Sequence, residues 1–159
     1  MVNLTVKIDD LIRHQKAREL RFDKNNISLF FGFENYDNSI PTNSRSIINL
    51  LYKSKVTAIV GFEISDNFIE IEQIQGRKCK RCYKPLASIN WERYLIRSVI
   101  EFGRTLEEIN QVLSKDSLAQ IYESYNYMDA ERATKRYDLP CIQEGFSYDK
   151  KRKLFVRNI

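Results

Sequence analysis

Apolar and polar residues alternate most clearly between Val56 and Gln75. Val56, Ala58, Val60, Phe62 and Ile64 alternate with Thr57, Ile59, Gly61 and Glu63, a period of two rich in β-branched residues that predicts a strand. After Ser65-Asp66-Asn67 comes a second run, Phe68–Gln75. Strict alternation there puts Ile69 and Ile71 on one face with Gln73 and Gln75, and Phe68, Glu70, Glu72 and Ile74 on the other. A three-residue polar turn between two such runs predicts an antiparallel hairpin. Past a basic loop, Asn90 is placed to cap a helix from Trp91 to about Leu106. Trp91, Leu95, Val99 and Phe102 form its buried stripe, and Glu92 in the first turn suits the helix dipole. Glu108–Leu113 reads as a short strand. Strand, loop, helix and strand in that order make a crossover between parallel strands.

Elsewhere the pattern is sparser. Asp9 or Asp10 is placed to cap a helix running to about Phe22, and Ile27–Phe33 reads as a buried strand. Ser44–Lys53 reads as a helix with Ile47, Ile48 and Leu51 facing inward, and Asp116–Met128 and Asp129–Tyr137 read as two more. Asp138 would cap a further short helix, with Pro140 in its first turn and Gly145 at its C′ position. Phe146–Tyr148 and Leu154–Val156 close the chain as a hairpin. The sum is an α/β (α+β) fold: one domain over residues 1–159, with a mixed, mostly antiparallel sheet flanked by helices.

Composition removes several function classes. The chain has 159 residues, 43% of them hydrophobic, enough for a core of its own. Its five Gly form neither GxG nor GxxxxGK, so there is no Walker loop and no Rossmann fingerprint. The single His rules out a multi-His metal centre. No uncharged run approaches the roughly 18–20 residues of a membrane span, and MVNLTVKIDD does not read as a secretory signal. No membrane partner is expected. Three Cys without an extracellular signal fit a reduced, cytoplasmic compartment.

Charge is unevenly spread around a net +5. Residues 77–100 hold 7 basic and 1 acidic, residues 101–131 hold 2 and 7, and residues 132–159 hold 8 and 3. Two basic segments thus flank an acidic one. Basic segments attract phosphate, on a cofactor or on nucleic acid, although solvated surface charge is the simpler reading.

The series FIEIEQIQG, a loop, NWERYLIRSVIEFGRTL, EEINQVL and RYDLPCIQEGFSYD resembles the GNAT (N-acetyltransferase-like) superfamily. It looks most like uncharacterised bacterial and phage proteins with an IQG … W … RYD … GF order. The resemblance covers about residues 55–157 and implies a single GNAT-like domain. In that superfamily one strand splays from its parallel neighbour, and acyl-CoA lies in the gap. Its pyrophosphate rests on backbone N–H groups at the start of the following helix, which offers free donors and a positive dipole end. By this resemblance Phe68–Gln75 is the splayed strand and Glu108–Leu113 its neighbour. The family's phosphate loop reads Q/R-x-x-G-x-G/A, whereas Arg77–Ser88 is longer and carries no Gly. Cys141 stands where many members place a Tyr general acid.

The candidate residues follow from that resemblance. Glu72, with Glu70 beside it, lies on the strand that often supplies the general base; exposure or pairing across the sheet is the simpler alternative. Cys141 is the second catalytic candidate. The backbone of Ile74, Gln75 and Gly76 would hold the thioester end. Arg77, Lys78 and the helix start at Asn90 would meet the phosphates. Cys79 and Cys82 form a CxxC among Arg77, Lys78, Lys80, Arg81 and Lys84. That is half a zinc site, and Cys141 and His14 are distant in sequence, so neither zinc nor any other metal is expected. Tyr83 offers a stacking surface beside those cations. Arg132, Arg136 and Tyr137 would line the acyl-acceptor end of the groove, unless Arg136 merely pairs with a carboxylate. The implied function is an N-acyltransferase that uses acetyl-CoA or another acyl-CoA, with a degenerate cofactor loop and a small amine or a protein as acceptor. The alternative is a catalytically inactive GNAT-fold module that binds protein or nucleic acid through the basic segments 77–84 and 132–157.

Overall fold

The structure, a computed structural model, describes residues 19–24, 27–32, 40, 42–53, 55–77, 90–119 and 129–159, with side chains described from Ile40 onward. Among the described residues eight strands form one sheet: β1 (Glu19–Lys24), β2 (Ile27–Gly32), β3 (Ser46–Tyr52), β4 (Lys55–Ile64), β5 (Phe68–Gly76), β6 (Gln111–Lys115), β7 (Ser147–Asp149) and β8 (Leu154–Asn158). Their order is β1-β2-β3-β4-β5-β6-β8-β7. Every neighbouring pair is antiparallel except β5 and β6, which run parallel. The crossover between those two is α1 (Trp91–Arg104). Later helical segments are α2 (Ala130–Ala133), a π-helical turn Thr134–Asp138, and α3 (Leu139–Gln143). This is the mixed, mostly antiparallel α/β arrangement expected from the sequence.

Two apolar layers sandwich the middle of the sheet. Ile48, Leu50, Ala58, Val60, Phe62, Ile69, Ile71 and Ile74 pack with Trp91, Leu95, Ile96, Val99 and Ile100 of α1. On the other face Ile40, Ile47, Leu51, Val56 and Ile59 form a smaller cluster. β3 is therefore buried on both faces, which corrects the helix expected over Ser44–Lys53. A doubly buried strand is a near-continuous apolar run, and Ile47-Ile48 followed by Leu50-Leu51 mimics helical spacing. The described part of the first expected helix, residues 19–22, is also strand, within β1 and paired with β2. The Asp9–Arg18 stretch lies outside the described residues, as does 120–128 of the expected Asp116–Met128 helix; residues 117–119 are helical. β6 starts at Gln111 rather than Glu108, because Ile109 N donates to Leu106 O (3.1 Å) and Asn110 N to Asn67 O (3.0 Å).

Two caps differ from expectation. Asn90 precedes α1 with φ 47°, in the left-handed region, and makes no side-chain cap. Its amide instead donates to Gln143 Oε1 at 3.1 Å. Asp138 does not cap its own helix either. Its carboxylate accepts from Ser117 N (2.8 Å) and Ser117 Oγ (2.7 Å), closing the turn at 117–119 from across the fold. Gly145 behaves as expected. It sits at φ 78°, with Gly145 N donating to Ile142 O and Phe146 N to Cys141 O, both at 3.0 Å. That bond pair is a Schellman motif, which needs a left-handed residue.

Two other glycines make opposite predictions. A Cβ on Gly61 would lie 2.4 Å from Ser44 Oγ and 2.7 Å from Ser44 Cβ. Gly61→Ala must displace Ser44, a buried residue just ahead of β3, and is expected to cost about 1–3 kcal/mol. On Gly103 the nearest atom, at 2.7 Å, is Ile159 Cδ1, the end of a flexible side chain at the C-terminus. Gly103→Ala also gains about 1 kcal/mol of helix propensity, so it is expected to be neutral or slightly stabilising. Urea titration of both variants checks the contrast.

Candidate functional site

The parallel pair is short. Phe68, Glu70 and Ile71 sit opposite Gln111, Leu113 and Ser114, and the ladder stops there. β5 continues to Gly76, still paired with β4 as far as Ala58. β6 ends one residue later at Lys115. The cause is local. Gln73 pairs with Gly61 and Ile71 with Phe62, so β5 carries one extra residue, Glu72, against two consecutive residues of β4. An unmatched residue of this kind is a β-bulge, which bends the strand and steepens its twist. β5 thus leaves β6 where the bulge sits.

The bulge also resets the alternation. Ile69, Ile71 and Ile74 are all buried in the α1-side core. The expectation that Ile74 shares a face with Glu70 and Glu72 is corrected accordingly: one extra residue shifts the period-two phase. Glu72 is half-buried and accepts a hydrogen bond from Ser44 Oγ at 3.1 Å. Ser44 reaches it over Gly61, whose missing side chain leaves the room. Glu70 is half-buried opposite Glu63.

Beyond the bulge, β5 meets helical elements instead of β6. Tyr137 Oη donates to Ile74 O at 3.2 Å and accepts from Ile74 N at 3.5 Å. Burial pushes the Tyr137 phenol above its ordinary range, against the opposing effects of the Ile74 backbone bond and the nearby Arg136. Gly76 lies on the Trp91 ring, with a notional Cβ 3.2 Å from it. The Arg136 guanidinium stands 5.7 Å from the same ring. Glu92, in the first turn of α1, has its carboxyl raised by burial, partly offset by its own backbone hydrogen bond and by Arg136. Gln75 accepts from the Gln73 side-chain amide. Arg77 turns toward β4: its N donates to Thr57 O at 2.7 Å and its Nη1 to Val56 O at 3.5 Å.

The structure therefore gathers Ile74, Gln75, Gly76, Trp91 and Tyr137 where β5 has left β6, with Glu72 at the bulge. Lys78, Cys79, Cys82, Tyr83 and His14 lie outside the described residues. Cys141 is wholly buried, and its thiol is pushed up to about 12, chiefly by burial and opposed by a hydrogen bond from Ser114. This catalytic candidate therefore faces the core. Arg132 pairs at the surface with Asp129 (3.4 Å).

One feature escaped the sequence reading. Glu144, 6% exposed, is held by Arg93 and by both forks of Arg97, at 2.8 and 3.1 Å. Burial raises its carboxyl, but the two guanidinium groups outweigh that and hold it below the usual carboxylate range. Arg93 and Arg97 stand four apart on α1. Like charges at that spacing repel unless an acid faces them, and that was the available signal.

No protein-family description and no curated protein matches the chain. Among solved structures it is similar to N-acetylglutamate synthase from Neisseria gonorrhoeae, described as complexed with coenzyme A and N-acetyl-glutamate. The identity is 12% and the TM-score 0.46, over 99% of this chain and 33% of that one. This chain thus spans a third of that protein's length. Strand order and the interrupted parallel pair, not this likeness, carry the fold class. Among the described residues no group of three or more His, Cys, Asp or Glu is arranged to hold a metal, and no helix is long and apolar enough to cross a membrane.

Proposed function

We propose that the chain is a GNAT-like N-acyltransferase that takes acetyl-CoA or another acyl-CoA into the opening between β5 and β6. One observation supports this above the others: the only parallel ladder among the described strands stops at Ile71, at a bulge, while β5 runs on to Gly76. The residues present suit such a substrate in three ways. Ile74 offers a backbone N–H and C=O that no neighbouring strand takes. The start of α1 has no side-chain cap from Asn90, and its positive dipole end suits phosphate. Glu72 projects from the bulge, steadied by Ser44. In this reading Glu72 accepts the proton of an amine as its nitrogen attacks the thioester carbon. The new C–N bond forms, the C–S bond breaks, and the thiolate of coenzyme A leaves. Cys141 has no part in that step. Asn90 contributes through its backbone position, and Arg77 and Lys78 through their charge. Calorimetry with acetyl-CoA tests the proposal: saturable heat is expected, and none at millimolar ligand with folded protein would refute it.

A second reading has one specific observation in its favour. Lys150, Lys151, Arg152 and Lys153 form the exposed turn between β7 and β8. Asp149 Oδ1 fixes that turn by accepting from Lys151 N (2.9 Å) and Arg152 N (3.1 Å). None of the four cations has an acidic partner among the described residues, unlike Arg93, Arg97, Arg104, Arg132 and Lys135. Such a turn suits the phosphate backbone of nucleic acid in a non-catalytic module. RNA and DNA binding that weakens steeply with salt, with no heat from acetyl-CoA, would favour this reading over the first.

A further inference from the structure

We propose that Tyr137 is a gate: in the free protein its hydroxyl closes the opening between β5 and β6, and it must swing away before a ligand can take the Ile74 backbone. The identity of that ligand rests on the acyl-CoA reading; the gate itself rests on geometry.

A strand that leaves its neighbour exposes backbone donors and acceptors that still need partners. At Ile74 both groups are met by one phenolic oxygen, as donor at 3.2 Å and acceptor at 3.5 Å. Tyr137 is only 5% exposed, so it sits within the opening and not over it. Any ligand that lies along β5 and pairs with Ile74 competes for the same two groups. A hydroxyl can supply them in the free state and be replaced by an amide in the bound one.

The segment carrying Tyr137 has two arrangements close at hand. Leu139 N donates to Thr134 O, five residues back, so Thr134–Asp138 is a π-helical turn with one residue more than an α-turn needs. Pro140 lacks the N–H that would bond Arg136 O in an α-helix, which relieves any demand for α geometry at this point. Moving the extra residue along the helix would turn Tyr137 by about 100°, the angle per residue of an α-helix. One end of the segment is firmly held. Cys141 is buried, and Asp138 is bound twice by Ser117. The other end is loosely held: of α2 only Ala133 is buried, and its ion pairs, Arg132–Asp129 and Lys135–Glu131, lie at the surface. Movement that withdraws Tyr137 therefore disturbs little packing on its N-terminal side.

Two measurements test the gate. The first needs no ligand. Native-state hydrogen exchange should show the Ile74 amide opening at least about 100-fold faster than amides in the β4–β5 ladder, because a gate opens without global unfolding. Equal rates at Ile74 and in the ladder would overturn the proposal. The second is calorimetry with coenzyme A on wild type and Tyr137→Phe. Removing two modest hydrogen bonds that hold the closed state is expected to tighten binding about tenfold. Equal or weaker binding by the variant, with wild type binding, would overturn the gate and make Tyr137 part of the binding surface. If neither protein binds coenzyme A, the acyl-CoA reading fails, and the exchange result alone decides the gate. Should the variant not fold, the wild-type exchange measurement stands unaffected.

Discussion

Trp91→Ala is expected to lose about 3–5 kcal/mol of stability, the range for truncating a buried Trp. The ring is 3% exposed and begins α1. It supports Gly76 at the end of β5 on one side and meets Arg136 on another. Loss of the ring leaves a void under β5 and removes a cation–π contact of about 0.5–1 kcal/mol. For a chain of this size the melting temperature should fall by roughly 10 °C. Leu118→Ala is the control. That side chain is 60% exposed, so its truncation should stay within about 0.5 kcal/mol. Thermal scans of the two variants check both. A Trp91→Ala protein as stable as wild type would mean that α1 does not pack on β5 as described.

Glu144→Gln is expected to cost about 2 kcal/mol at pH 7. Breaking a fully buried ion pair costs about 3–5 kcal/mol; here both arginines are substantially exposed, 39% and 48%, and solvent screening reduces the effect. Its pH dependence follows from the direction of the shift. The folded carboxyl lies below its unfolded value, first raised by burial and then more than offset by Arg97 and Arg93. Its stabilisation is therefore complete above the unfolded value of about 4.3 and is lost as pH falls through the folded value. Urea titrations at pH 7, 5, 4 and 3 should show the gap between wild type and Glu144→Gln narrowing below about pH 4.3. A gap that stays constant down to pH 3 would contradict the ion triad.

Much of the sheet could be read from alternation alone. Phe68–Ile71 buries one side chain in two, and Val56–Phe62, although buried on both faces, keeps an alternating sequence rich in β-branched residues, so the hairpin and its partner helix were visible. The C-terminal hairpin and the Gly145 turn were visible for the same local reasons. Three features were not. The bulge at Glu72 is a property of the pairing between two strands, and no single strand reveals it, yet it sends Ile74 into the core. β3 is apolar on both faces, so it lost the period that marks a strand. Asp138 and Asn90 looked like caps for the helices they precede, but tertiary partners, Ser117 and Gln143, took their side chains. The candidate site was half legible. Glu72 and Ile74–Gly76 do stand at the break in the sheet, whereas Cys141 is sealed in the core. Tyr137 came to β5 only through a helical register that no spacing rule shows.

A crystal soaked with coenzyme A tests the central claim most directly. Ligand density is expected alongside Ile74–Gly76, in the space beyond the Ile71–Ser114 pairing, with the Tyr137 hydroxyl displaced from Ile74. Saturating ligand that leaves that space empty, with Tyr137 still bonded to Ile74, would contradict it.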